Sequence, residues 1–295
     1  MYTELSGVTL RFDDSHFRYY STSNSDTERL GFLFREFVGH GEVAVEFDLA
    51  GPGEEPFVAN LLTHGRPGGR PRFRTPGAEE WLSWDDDNTP IPPFTVPPLC
   101  GRFLVLHGSA ARVNGRTFGF CGPSFAGKSS LLLSLAWRGA DVVADDALVF
   151  PIGTATLLRW PKAVGVRKPT LDLLPWLRAP FADLDVGSKL WLPSQQGRPE
   201  TTILHLADIL GRPTYVTEPR LQLDELLLLD RQFAGVQPGD ASTTVTLLHQ
   251  TCSSGLSRID TARYLFELLK AAPLSVLGTL DLDAATDLLF ARAAL

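Results

Sequence analysis

The segment GPSFAGKSS (122–130) constrains this chain more than any other. It fits the spacing G-x-x-x-x-G-K-[ST] and stands between an apolar run, TFGFC (117–121), and a helical run, SLLLSLAWR (130–138). Glycines at both ends of such a loop let the backbone curl and approach a ligand closely. Peptide N–H groups in the curl converge as a nest for an anion. The helix that follows adds its unpaired first-turn amides and the positive end of its dipole. The pattern therefore predicts a strand–loop–helix unit that grips a polyphosphate. Gly122, Pro123, Ser124, Phe125, Ala126, Gly127, Lys128, Ser129 and Ser130 are expected to line a nucleotide. Lys128 would reach the β and γ phosphates, and the Ser129 hydroxyl would coordinate Mg2+.

The flanks extend this unit. FLVLH (103–107) reads as a strand, and Asn114-Gly115 in VNGR (113–116) marks a hairpin turn that returns into TFGFC. Gly139 is placed as the C′ residue closing the helix. DVVADD (141–146) reads as a buried strand ending in two carboxylates, with ALVF (147–150) continuing extended. The interval from Lys128 to Asp145 holds one helix, one turn and one strand, so the acidic strand is expected to be the next one and to lie beside the loop. There one of Asp145 and Asp146 can hold magnesium and the other can accept a proton from an attacking hydroxyl. The blander reading of the pair is a turn or helix cap.

With 295 residues, 44% of them hydrophobic and 21% charged, the chain has material for one large domain or two ordinary ones. A net charge of -7 speaks against a general nucleic-acid binder, whose affinity comes from neutralising phosphates. Cys100, Cys121 and Cys252 are scattered, which suits neither a disulfide framework nor a zinc site and points to a reducing cytoplasm. No basic-then-apolar leader and no apolar run of membrane-spanning length is expected, so no membrane partner is either.

Residues 1–98 read as a β-rich region, with EVAVEFDLA (42–50) alternating as a half-buried strand does. The stretch 51–98, which includes Pro90, Pro92, Pro93, Pro97 and Pro98, reads as a connector, with a boundary near 98 and a second unit over 99–295. Asp85–Asp87 within it is read as a solvated loop. Beyond 150, TTILHLADI (201–209) and LDELLLL (223–229) are buried-element candidates, and 258–270 and 282–294 have helical spacing. RWPKAVGVRK (159–168) holds Arg159, Lys162, Arg167 and Lys168 without an acid. Cations there would stabilise charge on a transferring phosphoryl group or hold an anionic substrate, with Arg167 the chosen candidate. A solvated surface strand is the alternative.

Residues 106–146, with His107-Gly108, the glycine loop, Arg138-Gly139 and Val143-Ala144-Asp145-Asp146 in order, resemble the core of the HPr kinase/phosphorylase family and its HPr kinase-like relatives. The resemblance implies an α/β fold with a mixed-sheet P-loop core of the phosphoenolpyruvate carboxykinase type, preceded here by the β-rich region. It implies ATP- and Mg2+-dependent phosphorylation of a serine hydroxyl, with one of Asp145 and Asp146 as general base and the other supporting the metal. His107 would sit near the transferred group, and a homo-oligomer is in keeping with the family. Two departures stand out: Ser124-Phe125 replaces the family's Ser-Gly, and the second signature of the bifunctional enzymes is absent. HPr is therefore not the expected acceptor. The shorter relatives include lasso-peptide serine kinases, which makes a peptide or protein serine, or a small hydroxyl compound, the expected substrate. A nucleotide-binding regulatory module without transfer, and a nucleotidyltransferase on the same scaffold, are the competing expectations.

Overall fold

The computed structural model describes residues 6–21, 24–50, 72–83, 101–192, 200–251 and 255–294. Most of the connector (51–71 and 84–98), the boundary near 98, Asp85–Asp87, Cys100 and Cys252 lie outside the described residues.

In the N-terminal region, β1 (Ser6–Phe12) and β2 (Ser15–Ser21) form an antiparallel hairpin, and α1 (Asn24–Leu33) leads to β3 (Val43–Ala50). With β4 (Arg72–Arg74) and β5 (Leu82–Ser83) they make a five-stranded sheet in order β1-β2-β3-β4-β5. The described residues of this region are mainly strand, with α1 beside them. The β2–β3 pair is parallel, which requires a crossover, and α1 supplies it by packing on β1 and β2. Phe12 reaches out of this sheet to Phe103 and Trp160, with ring centroids at 5.6 and 5.2 Å. One hydrophobic cluster therefore runs from the N-terminal sheet into the rest of the chain.

Next come β6 (Phe103–Leu106), β7 (Gly108–Val113), β8 (Arg116–Cys121), α2 (Lys128–Trp137), β9 (Asp141–Ala144), β10 (Leu148–Pro151), β11 (Thr156–Leu158) and β12 (Val164–Arg167). Short helices α3 (Lys168–Leu173) and α4 (Arg178–Asp183) precede β13 (Lys189–Leu192), β14 (Thr201–Leu204), α5 (Leu206–Leu210) and β15 (Arg220–Gln222). The chain closes with β16 (Glu225–Asp230), β17 (Ala234–Pro238), α6 (Ala241–Leu248), α7 (Arg258–Ala271), β18 (Leu274–Thr279) and α8 (Leu282–Arg292). This is a mixed α/β architecture.

The six-stranded central sheet has the order β17-β18-β16-β8-β7-β9. β8, β16 and β18 are mutually parallel, whereas β7 runs against both β8 and β9. The ends of β8, β9, β16 and β18 and the start of β7 thus share one edge. Strand alternation divides the core in two. Val142, Phe118, Phe120 and Leu227 face α2 and α8, while Val143, Cys121, Leu226 and Leu228 face the sheet β15-β11-β10-β6 behind. α2 carries leucine on every side and is buried accordingly, from Leu131 to Ala136. The turn residues behave as the sequence indicates: Asn114 and Gly115 have φ of 47 and 86, and Gly139 past the end of α2 has φ of 101. Among the described residues, no helix is long and apolar enough to cross a membrane.

Candidate active site

β6 and β7 are one run of chain with a bend at His107, and β9 and β10 are another with a bend at Asp145–Ala147. They pair antiparallel on both sides of the bend, Leu106 with Leu148 and Ala110 with Ala144. The ribbon therefore passes from one sheet into the next at a corner, and His107, Asp145 and Asp146 occupy that corner. Gly108 is what allows it. A Cβ there would lie 2.6 Å from the Phe120 carbonyl oxygen and 2.9 Å from Leu148 Cδ1. Asp146 completes the bend with a φ of 66, a conformation more accessible to aspartate than to most residues.

The expected loop sits at the end of β8, on the edge that carries this corner. Gly127 has φ of 98 and forms the N-cap of α2, and Phe125 takes φ of 68 with its side chain 58% exposed. The Ser124-Phe125 departure from the family pattern is thus accommodated by pointing the ring outward. Lys128 is buried and folds back over the loop, donating to the carbonyl oxygens of Gly122 at 2.7 Å and Pro123 at 3.0 Å. Arg231 holds the Phe125 carbonyl at 3.2 Å, and Thr279 holds that of Ala126 at 3.4 Å. With these carbonyls engaged by the protein's own donors, the loop suits an anion. Ser129 is partly buried and Ser130 buried in the first turn of α2.

The two aspartates differ sharply. Asp145 is 2% exposed and accepts the Ser109 hydroxyl at 2.6 Å. Burial, and then the charge of Asp146, push its pKa up to about 6. Asp146 has a side chain 50% exposed and is ion-paired with the ammonium of Lys162. That charge holds its pKa below the ordinary aspartate value. Burial works against the Lys162 charge, but Asp146 more than offsets it, so the ammonium ends above its usual range. His107 Nδ1 lies 3.1 Å from the Asp146 carbonyl oxygen, and burial followed by the nearby Lys128 charge lowers its pKa. Burial lowers Lys128 too, against the pull of Asp146 and Asp145. His107, Lys128, Asp145, Asp146 and Lys162 therefore form one electrostatic cluster.

β9 is not the sheet neighbour of the loop strand β8, because β7 intervenes and the immediate parallel neighbour of β8 is β16. The acids still reach the loop edge because β9 ends there. The basic segment does not act as one patch. Arg159 donates to the Val216 and Glu36 carbonyls, Lys162 pairs with Asp146, and Lys168 starts α3. Among the described residues, Arg167 forms no ion pair with Asp145 or Asp146. Its Nε donates to Thr201 Oγ1 at 3.1 Å, and its guanidinium lies 5.1 Å from the centre of the Phe125 ring.

Sequence reasoning did not single out Ser109, Arg231 or Tyr215, and gave Lys162 no separate role. Tyr215 donates to the Lys162 carbonyl at 3.1 Å, and burial raises its phenol. A polar residue inside the apolar run LHGSAARV was a usable signal for Ser109. Lys162 had none, since it reaches Asp146 through a parallel bridge between Trp160 and Ala144.

The residues fit a nucleotide with magnesium. The loop offers a tight curl and Lys128, and the corner offers carboxylates. Magnesium is commonly held by one or two carboxylates together with substrate phosphates. Among the described residues, no group of three or more His, Cys, Asp or Glu side chains is placed to hold a metal without such help.

No protein-family model matches the chain. No curated protein matches it. Among solved structures it is similar to the Hpr(Ser) kinase/phosphatase from Coxiella burnetii, at 12% identity and a TM-score of 0.30, over 64% of this chain and 95% of that one. Likeness at that level carries no weight for residue roles, which rest on the geometry above.

Proposed function

We propose that the chain is a phosphotransferase that moves the terminal phosphoryl group of ATP to a hydroxyl, with a peptide or protein serine as the preferred acceptor class. The observation that carries this reading is the meeting, at one sheet edge, of the Lys128 loop and a pair of aspartates in opposite electrostatic states. The serine and peptide part rests on the resemblance of residues 106–146 to HPr kinase-like proteins.

Paired titratable groups whose surroundings drive their pKa values apart suit separate acid–base roles. Asp146, ionised and half-exposed, together with Ser129 would hold Mg2+, which supplies charge neutralisation on the phosphates. Asp145, raised towards neutrality and oriented by Ser109, is the proton acceptor of the pair. Lys128 exchanges its two loop carbonyls for phosphate oxygens. His107 is neutral at pH 7 and anchors the Asp146 backbone. Arg167 and Phe125 flank the loop tip, where a cation can steady an incoming anion.

The test is incubation with γ-labelled ATP, Mg2+ and serine-containing peptides. Label should reach the peptide with the mass of a phosphate, and Lys128→Ala should abolish it. Transfer at the wild-type rate by that variant refutes the site. Addition of a nucleoside monophosphate instead would make the chain a nucleotidyltransferase.

The Lys162–Asp146 pair favours a second reading. It neutralises the carboxylate a metal would need, as suits a module that binds nucleotide without transfer. Under that reading the double variant Asp145→Asn, Asp146→Asn keeps full nucleotide affinity and biological function.

A further inference from the structure

On the flank of the loop away from the aspartates lies a cavity of about 780 Å3, bounded by Phe125 and Ala126 of the loop, Leu229 of β16 and Arg231 just after it, Gln237 of β17 and Thr246 of α6. We propose that this cavity is the nucleoside subsite, taking the base and ribose of the nucleotide whose phosphates the loop holds. The assignment rests on the phosphotransferase reading and deepens it.

Sheet order supplies the first reason. The aspartates end β9 at one side of the loop strand, two places from β8, while the cavity opens over β16, β18 and β17 on the other side. A triphosphate with its reacting end towards Asp145 and Asp146 must extend its nucleoside the opposite way. Loop residues Pro123–Ala126 form a wall of the cavity, so a ligand leaving the loop on that flank enters it directly.

Charge supplies the second reason. The cationic side chains Lys128 and Lys162 gather at the aspartate corner. The cavity has two carboxylates, Asp230 and Asp240, against the single guanidinium of Arg231, one of whose N–H groups is on the Phe125 carbonyl. Both carboxylates are also engaged, Asp230 by the backbone N–H of Gln232 at 2.8 Å and Asp240 by the backbone N–H of Thr243 at 2.8 Å. A polyphosphate would be repelled there, and an uncharged group would not. The lining matches such a group. Leu228 and Val276, paired across β16 and β18, give an apolar floor for a flat base. The Gln237 amide and the Thr246 hydroxyl, which donates to the Ser242 carbonyl at 3.0 Å and keeps its acceptor, are exposed polar groups suited to ribose hydroxyls.

The experiment is calorimetric titration of wild type, Thr246→Trp and Gln237→Trp with Mg2+·ATP and, separately, with Mg2+·tripolyphosphate. Both substituted positions are exposed, and thermal melts confirm that each variant is folded. Each tryptophan should weaken ATP at least about tenfold, or 1.4 kcal/mol, and leave tripolyphosphate within about twofold. ATP affinity unchanged in both variants overturns the subsite alone. A parallel fall of ATP and tripolyphosphate overturns it as well, by putting the polyphosphate itself in the cavity. Wild-type protein that takes up neither ligand overturns the subsite and the phosphotransferase reading together.

Discussion

Ser109 Oγ donates to Asp145 Oδ1 over 2.6 Å, and both residues are almost wholly excluded from water. This bond opposes the rise in Asp145 pKa that burial and Asp146 impose, without cancelling it. A carboxyl whose folded pKa lies above its unfolded value binds more protons in the folded state between the two. Its contribution to stability is full below the unfolded value near 3.8 and is lost as pH rises through about 6. Asp145→Asn removes the ionisation while keeping an acceptor for Ser109. The variant should gain on wild type above pH 6, by on the order of 1–3 kcal/mol, and the gain should vanish near pH 4. Denaturant unfolding from pH 4 to 8 measures it. A constant difference across that range would mean that Asp145 titrates normally.

Lys162 and Asp146 give the opposite sign. The Lys162 charge depresses the Asp146 pKa, so the stability it brings is present above the unfolded value and lost as pH falls through the lowered one. Lys162→Met should erase that acid-limb loss. Asp146 is half-exposed, so solvent screening keeps the effect to about 1 kcal/mol. Comparing unfolding free energies at pH 5 and pH 2 in both proteins provides the check. An unchanged pH 5-to-2 difference would show that the pair does not persist in solution.

Gly108 is expected to tolerate no side chain. Its neighbour in the clash is the Phe120 carbonyl, which belongs to the central ladder and cannot swing away. Gly108→Ala should cost about 2–3 kcal/mol through overpacking and disturb the corner that carries His107. Thermal melts give the cost. Wild-type stability in this variant would contradict the tight approach of β7 to β8.

Phe125 separates backbone strain from ring contact. Its φ of 68 disfavours any side chain, and β-branched ones most. Phe125→Gly relieves about 1 kcal/mol of that strain and loses an exposed cation–π contact with Arg167 worth about 0.5–1 kcal/mol. Stability should therefore stay within about 1 kcal/mol of wild type, whereas Phe125→Val should lose about 1–2 kcal/mol. Equal losses in the two variants would place the loop in another conformation.

Fluorescence offers a further check on the loop's helix. Trp137, at the end of α2, stacks on Trp176 with ring centroids 4.3 Å apart. Trp176→Phe should alter the emission of Trp137 while leaving the affinity for Mg2+·ATP unchanged. A tenfold loss of affinity would instead tie this remote stack to the loop.

The unit from His107 to Asp146 was legible in the amino-acid sequence because short-range physics settles it. Asn114-Gly115 must turn, Gly127 must open α2, Gly139 must close it, and the apolar run before Asp145 must be buried. Each outcome depends on backbone freedom or alternation within a few residues. Contacts between distant segments were not legible. Nothing local tells β7 to slip between β8 and β9, or α1 to bridge a parallel pair. Lys162 finds Asp146 only through the bridge from Trp160 to Ala144, and Arg231 finds the loop only because β16 pairs with β8. Strand order also decided which aspartate would be buried against Ser109 and which would remain in reach of water. The chain's local pattern thus set the chemistry available at the edge, and the packing of sheets, which sums many weak long-range contacts, set the state of each charge within it.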